Sequence, residues 1–273
     1  MTAIALAAHA LVHFRQKPPP PAAPMRFQIA LPEKISFVPW LSLSPDGRHL
    51  AFTAVGQEAH GQLWVRDLDS LVSRPLAGTD GVGSYPFWSP DSRALGFQTG
   101  NKLERVDISE GAPQVICDAP RVLGGSWNQD GVIVFGSYTG VMKVSAAGGA
   151  PSLLIKARRS PGEHTLISPS FLPDGRHFLY AEVPEEDVYV GSLDAGSEPK
   201  PSKPLATGSM ATDTPTSGSE PGLILVLKPD HTLMAQAFDT SRAELEGDSA
   251  VVAEGVQSFT ISADGILAYT GGT

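Results

Sequence analysis

The chain has 273 residues, with 28 glycines and 24 prolines, a formal net charge of −9 and a hydrophobic fraction of 41%. Gly and Pro are both unfavourable inside helices, so a chain in which they make up about one residue in five is not a helical bundle. The apolar fraction excludes a disordered chain. The lack of a basic stripe in the sequence argues against nucleic-acid binding, which needs clustered Lys and Arg to neutralise phosphates.

The first 16 residues form an apolar N-terminal segment. Residues 1–14 read MTAIALAAHALVHF and include His9 and His13. A bilayer needs roughly 20 apolar residues, and a secretory signal would carry its basic residues before the apolar run, whereas Arg15 follows it. Two interpretations stay open: the trailing end of a membrane helix that begins upstream, or a short amphipathic helix.

A proline-rich spacer and a candidate strand come next. Residues 17–24 read KPPPPAAP. Consecutive prolines fix φ and block helix formation, which predicts an extended spacer roughly 20 Å long, at about 3.1 Å per residue. Residues 26–31, RFQIAL, largely alternate polar and apolar side chains, as a half-buried strand does. The spacer separates the apolar segment from a folded domain predicted over residues 25–273.

One motif recurs six times between residues 41 and 272, at intervals of 39 to 47 residues. Its clearest copy contains SPDG at residues 44–47. Pro presets φ in a type I turn, Asp suits the next position, and Gly takes the left-handed position that closes a bulged hairpin. The residues at this last position are Gly47, Ser92, Gly131, Gly175, Gly222 and Gly265.

Large apolar residues stand at a nearly fixed distance on both sides of the turn, which predicts two strands that pack between neighbouring sheets. Those before it are Leu43, Trp88, Trp127, Phe171 and Ile261; those after it are Phe52, Phe97, Phe135, Tyr180, Val226 and Tyr269. Gly218 is the exception, in the fifth unit. Further short strands follow in most units. Four short antiparallel strands in about 44 residues are typical of a propeller blade.

The sixth unit supplies only its first two strands, so the sequence predicts an all-β propeller of five blades plus a partial sixth. A half-blade leaves unpaired backbone N–H and C=O groups at its edge. We expect residues 26–31 to lie in β-structure at a blade edge, where they could pair with the half-blade and join the two ends of the chain.

The phrase SPDGRHLAF at residues 44–52, with strands ending near Asp67 and Asp107, resembles the WD-like repeat of TolB-type β-propellers. This resemblance covers residues 41–272. Residues 1–29 resemble the membrane-to-propeller junction of bacterial receptor-like serine/threonine protein kinases, which implies an extracytoplasmic, membrane-tethered propeller. The sequence contains no HRD phrase, DFG phrase or Gly-rich nucleotide loop, so the resemblance implies no kinase activity for this chain.

The sequence offers no recognisable catalytic or metal centre, and it predicts no cofactor. It has no GxSxG nucleophile elbow, and its seven histidines form neither an HxH nor an HExxH pair. The recurring aspartates are accounted for by the turns. Cys117 is the single cysteine. It excludes an intrachain disulfide and a Cys-based metal site, and its strand-like surroundings predict a small buried side chain.

The remaining candidates lie in the loops that join second to third strands and blade to blade, on the face opposite the hairpin turns. Function is commonly placed on such variable loops. The candidate binding residues there are Tyr85, Arg121, Glu163, His164 and Asp213.

The sequence therefore predicts a non-catalytic sensor or binding module for a protein or a small ligand, with membrane attachment through the N-terminus. Two alternatives remain. One is a propeller associated with a hydrolase, either of the prolyl-oligopeptidase type or with its site in the channel. The other is a structural scaffold that binds another chain through its rim.

Overall fold

The computed structural model describes residues 35, 37–55, 60–109, 111–157, 164–194, 203–214 and 222–271. All of them belong to the unit Pro32–Thr273. Every regular element within these ranges is a β-strand. The predictions for the apolar segment 1–16, the spacer 17–24 and the strand 26–31 lie outside the described residues.

The strands form five blades of four antiparallel strands, paired in chain order, and one two-stranded sheet. Blade 1 contains β1 Phe37–Leu43, β2 His49–Val55, β3 Gly61–Asp67 and β4 Ser73–Pro75. Blade 2 contains β5 Phe87–Trp88, β6 Ala94–Thr99, β7 Lys102–Asp107 and β8 Gln114–Asp118. Blade 3 contains β9 Gly125–Trp127, β10 Val132–Ser137, β11 Gly140–Ser145 and β12 Ser152–Lys156.

Blade 4 contains β13 Thr165–Phe171, β14 His177–Val183, β15 Asp187–Ser192 and β16 Ala206–Thr207. Blade 5 contains β17 Met210–Thr214, β18 Gly222–Leu227, β19 Leu233–Asp239 and β20 Glu244–Ala253. The half-blade contains β21 Val256–Ile261 and β22 Leu267–Gly271. A single bridge between Ser137 and Leu166 joins the sheets of blades 3 and 4. The predicted architecture of five blades plus a partial sixth is confirmed.

A residue with left-handed backbone closes the turn between the first and second strands of a blade, as the motif predicts. The φ angles are +66° at Gly47, +61° at Ser92, +75° at Gly131, +65° at Gly175 and +82° at Gly265. In blade 2 the Ser89 hydroxyl donates to Asp91 over 2.6 Å, and Arg93 N donates to the same carboxylate over 3.2 Å. These bonds, that of Ser89 above all, hold the pKa of Asp91 below its ordinary value.

The fifth turn differs from its prediction. Gly222 is the first residue of β18, and the segment 215–221, which connects it to β17, lies outside the described residues. The inner strand of blade 5 is β17, Met210–Thr214. The motif is degenerate at this unit, so the glycine aligned as a turn residue belongs to the second strand.

Apolar side chains form a core between each pair of neighbouring blades. Phe97 is fully buried between blades 1 and 2, Phe135 between blades 2 and 3, and Phe178 between blades 3 and 4. Burying each such ring stabilises the fold by about 1.5–3 kcal/mol. Phe97 and Phe135 occupy the predicted register, so the repeat spacing placed these core positions correctly.

Hydrogen bonds between inner strands connect neighbouring blades. Trp88 Nε1 donates to the carbonyl of Ser42 over 2.9 Å, which joins blade 2 to blade 1. Phe171 N donates to the hydroxyl of Ser126 over 3.1 Å, which joins blade 4 to blade 3. Side chains of the inner strands thus satisfy backbone groups of the adjacent blade and fix the spacing around the centre.

The half-blade completes the ring by direct contact with blade 1. Leu43 N donates to the hydroxyl of Thr260 over 3.1 Å, and Ala263 N donates to the carbonyl of Pro45 over 2.9 Å. Among the described residues β22 pairs with β21 alone. Tyr269 on β22 is 46% exposed, although the repeat predicts an inter-blade packing position there. Strand β21 therefore completes the inner wall of the ring, and the outer edge of β22 has no paired strand within the described part of the chain.

Candidate binding channel

A cavity of about 550 Å³ lies at the centre of the ring. Its wall is formed by the first strand of every blade and by β21 of the half-blade. Small-molecule sites in proteins commonly enclose about 300–1,000 Å³. The cavity is therefore large enough for a small organic ligand, and its position follows directly from the circular arrangement of the inner strands.

The turns between first and second strands share one end of the channel, which we call the turn face. Asp46 N donates to Ser92 Oγ over 3.1 Å, and Asn128 Nδ2 donates to the carbonyl of Gly175 over 2.7 Å. These bonds connect the turns of adjacent blades. Because paired strands are antiparallel, the loops that join second to third strands and one blade to the next lie at the opposite end, the loop face.

Asp213 lines the channel from the inner strand β17. It pairs with Ile224 beside the turn that joins β17 to β18, so it lies at the turn face. The prediction that Asp213 belongs to a loop on the opposite face is wrong. Residues 209–216 resemble a loop because β17 is only five residues long and ends in Thr and Asp rather than in a large apolar residue.

Burial in the channel wall raises the pKa of Asp213 to about 7, and the charge of Asp174 contributes to the rise. Near neutral pH this side chain is thus balanced between the neutral acid and the carboxylate. Among the lining residues that the structure describes, Tyr85 is the other titratable side chain, and none is Lys, Arg or His. A perturbed acid in a cavity is a recognised indication of a functional position.

The neighbouring inner strand, β13, contains a β-bulge and contributes one member of a hydroxyl pair. Ser170 Oγ and Thr212 Oγ1 are 2.9 Å apart, and both line the channel. The register shifts between Ile167 and Ser170, where Ser168 has a φ of +51°. Sequence reasoning missed this bulge, although Pro169 within the strand is a signal for it, since Pro cannot donate to a sheet ladder.

Gly124 shows how closely the chain approaches this bulge. A Cβ atom at Gly124 would lie 3.0 Å from Ser168 Cα, and the residue has a φ of +82°. Ser168 N donates to the carbonyl of Leu123 over 2.8 Å. The bulge is therefore held by backbone contacts with blade 3, and it shapes the channel wall beside the hydroxyl pair of Ser170 and Thr212.

Tyr85 lines the channel as well, two residues before the start of β5. Its ring centroid lies 5.2 Å from that of Trp40 on β1, and burial raises the pKa of the phenol. Because inner strands begin at the loop face, Tyr85 lies near that end and Asp213 lies near the other. The structure places both predicted residues in one channel but does not bring them together.

The other three predicted residues are placed differently. The Arg121 guanidinium lies over the Tyr138 ring, 5.6 Å from its centroid, and both side chains are exposed. His164 is only 6% exposed, with Nδ1 2.8 Å from a carboxylate oxygen of Glu185 and 3.5 Å from one of Glu182. Neither Arg121 nor His164 is among the channel-lining residues. Glu163 lies outside the described residues.

Within the described ranges there is no group of three or more His, Cys, Asp or Glu side chains arranged to hold a metal ion. No described helix has the length and apolar character to cross a bilayer. Cys117 is buried, as its strand context predicts. Burial raises the pKa of its thiol to about 11, with a contribution from Asp118.

Comparisons with known proteins support the fold. No family model matches the chain. The structure is similar to a putative TolB from Agrobacterium tumefaciens, with a TM-score of 0.57, 15% identity and coverage of 86% of this chain and 90% of the other. It is also similar to the Cps50 (Swd1) β-propeller domain of Myceliophteria thermophila, with a TM-score of 0.55, 16% identity and coverage of 78% and 70%.

A chain from the mitotic checkpoint complex gives a TM-score of 0.59 at 17% identity, over 88% of this chain and 73% of that one. In sequence, the chain is 28% identical over 140 residues to an uncharacterised peptidase, YuxL, of Bacillus subtilis. That alignment covers 50% of this chain and 20% of the relative, so the chain spans only a small part of the relative's length. The fold is thus a TolB-like β-propeller, as the sequence predicts.

Proposed function

We propose that this chain is a non-catalytic ligand-binding module whose site is the central channel. The observation that carries the proposal is the cavity of about 550 Å³, to which all six inner strands contribute. Its described lining residues combine hydroxyl groups, aromatic rings and one acid, the mixture of apolar surface and a few polar groups by which proteins recognise small molecules. Protein partners bind, in this proposal, at the loop face, where Arg121 and Tyr138 are exposed.

A ligand screen that includes a variant with a narrowed channel entrance tests the proposal. Ala263 is exposed at the turn face and lines the cavity, so Ala263→Trp narrows the entrance without altering the core. Ala147→Trp, at an exposed turn outside the lining, is the matched control. Ligand-observed NMR with a small-molecule library should find ligands that bind the wild type and the control but lose binding to Ala263→Trp. If every ligand binds all three proteins alike, the channel is not the site.

We further propose that the module acts as an extracytoplasmic sensor tethered through its N-terminal segment. The apolar residues 1–16, the spacer 17–24 and the junction resemblance support this location. A labelled full chain expressed in a bacterial host should be digested by protease added outside the cytoplasmic membrane. Protection of the propeller in intact spheroplasts, with digestion only after lysis, would refute the location.

A second candidate function follows from the likeness to the Bacillus subtilis peptidase over half of this chain. In this alternative the propeller accompanies a hydrolase. Labelling of the purified chain by a fluorophosphonate probe, or turnover of aminoacyl esters, would favour the alternative. Unlabelled protein that retains channel-dependent ligand binding favours the binding module.

A further inference from the structure

The turn-face end of the channel holds an acid, Asp213, that no basic side chain accompanies in the described lining. Among the lining residues that the structure describes there is no Lys, Arg or His beside Asp213. The basic side chains beside the adjacent turn of blade 4 are paired with other carboxylates. Arg176 pairs with Asp194, and His177 Nδ1 lies 2.5 Å from Asp174 Oδ2. The charge of Asp174 acts on Asp213 with the same sign. Ionised Asp213 is thus a negative charge in the cavity wall that no described lining residue neutralises.

A carboxylate withdrawn from water is unfavourable unless a cation or several donors accompany it. A protonated amine supplies both a positive charge and three N–H donors. The hydroxyl pair of Ser170 and Thr212 also lines the cavity and adds polar atoms to its wall. The ring of Trp127, which is partly exposed, lines the same cavity and offers apolar surface for the hydrocarbon part of a ligand.

We propose that the channel takes a small organic cation, with its ammonium group paired to Asp213 at the turn face. This inference rests on the proposed function of the channel as a ligand site and names the ligand class. An organic anion would meet two negative charges, those of Asp213 and Asp174, and a neutral ligand would leave the acid without a counter-charge. Of the three ligand classes, the cation is the one that this wall complements.

The test compares three ligands of similar shape at pH 8: benzylammonium, benzyl alcohol and phenylacetate. Saturation-transfer NMR and calorimetry with the full chain should show benzylammonium binding most tightly. Asp213→Asn keeps the size of the side chain and removes its charge, and should weaken benzylammonium binding at least about tenfold, or about 1.4 kcal/mol. Asp80→Asn, at an exposed carboxylate outside the lining, is the control and should bind as the wild type does.

The pH dependence gives a second readout. Because protonated Asp213 cannot form the ion pair, lowering the pH from 8 to 6 should weaken benzylammonium binding to the wild type but not to Asp213→Asn. The other titratable side chains of the turn face, among them Asp174 and His177 on the blade 4 turn, Asp264 on the half-blade turn and Asp46 on the blade 1 turn, are the same in the wild type and in Asp213→Asn, so the difference between the two proteins isolates Asp213. A tripeptide with blocked ends and a central lysine is tested as a separate ligand. Tighter binding of this tripeptide than of benzylammonium would indicate the lysine side chain of a peptide as the ligand, and weaker binding would indicate a free amine.

Equal benzylammonium binding by the wild type and Asp213→Asn, or tighter binding of phenylacetate, would overturn the inference. If benzyl alcohol or phenylacetate binds and Ala263→Trp abolishes that binding while benzylammonium does not bind, the channel function stands and the cation class is wrong. If none of the three binds, the cation class is again overturned, and the library screen decides the channel function separately.

Discussion

Replacing Asp213 with Asn should stabilise the protein, and the gain should depend on pH. Well below pH 3.8 Asp213 is protonated in both the folded and the unfolded chain, so its ionisation contributes nothing to the difference in stability between the wild type and Asp213→Asn. As the pH rises from 3.8 towards 7, the unfolded chain ionises while the folded chain retains its proton. The free energy of unfolding therefore falls over this interval, because the folded-state pKa is raised to about 7.

The magnitude follows from the same two pKa values. They differ by about three, and each factor of ten in proton affinity is worth about 1.4 kcal/mol, so ionised Asp213 destabilises the fold by up to about 4 kcal/mol above pH 7. Asn has nearly the same volume and cannot ionise. Asp213→Asn should thus be more stable than the wild type by up to about 4 kcal/mol at pH 8 and by nearly nothing at pH 4.

Urea unfolding at pH 4, 6 and 8, followed by tryptophan fluorescence, measures this difference. Asp80→Asn serves as the control, since its carboxylate is exposed and the substitution should leave stability within about 0.5 kcal/mol of the wild type at each pH. An Asp213→Asn variant that is no more stable than the wild type at pH 8, or that gains equally at pH 4, would refute the reasoning. If Asp213→Asn is the more stable protein at pH 8, Asp213 lowers the stability of the wild-type fold, as residues in binding sites often do.

Four further predictions concern the turns, the cysteine and the chain ends. Gly175→Val should destabilise by more than about 1 kcal/mol in thermal unfolding, because a β-branched residue is strained at a φ of +65°; no clash contributes, since an added Cβ would lie 3.9 Å from Asn128. If Gly175→Val melts at the same temperature as the wild type, the turn register is wrong. Ser92→Gly should melt within a few degrees of the wild type, since relief of strain at φ +61° offsets the lost bond from Asp46 N. Cys117 should react with dithiobis(nitrobenzoate) at pH 8 at least about a hundredfold more slowly in the native protein than in urea, because its thiol is buried and its pKa is about 11; comparable rates would contradict this. Deleting residues 1–31 should produce oligomers or precipitate on size exclusion, because we expect residues 26–31 to cover the edge of β22, whereas a monomeric and equally stable deletion would exclude that pairing.

The blades could be predicted from local sequence because their determinants are local. A left-handed turn requires Gly or a small polar residue at one position, and strands of fixed length on either side carry a large apolar residue at a fixed distance. Phe97 and Phe135 are fully buried for this reason. Blade 5 shows the limit of such reasoning: where the motif is degenerate, the repeat spacing predicts a turn at Gly222, whereas Gly222 lies in β18.

The candidate site could not be predicted in the same way. The sequence singled out Tyr85 and Asp213, but on the wrong grounds for Asp213, which lies on an inner strand at the turn face. Its raised pKa arises from burial by strands that are distant in sequence and from the charge of Asp174 in another blade. The bulge at Ser168 and the hydroxyl pair of Ser170 and Thr212 likewise depend on contacts between blades.

The sequence by itself thus determined the repeating unit, its turn chemistry and its apolar register, because each of these is set by neighbours within a few residues. The tertiary structure alone decided how the units meet. Leu43 of blade 1 donates to Thr260 of the half-blade across a separation of 217 residues, and no periodicity within a single unit contains that contact. The channel and its acid exist only once the ring has closed, since closure is what partly shields Asp213 from water and brings six inner strands around one cavity.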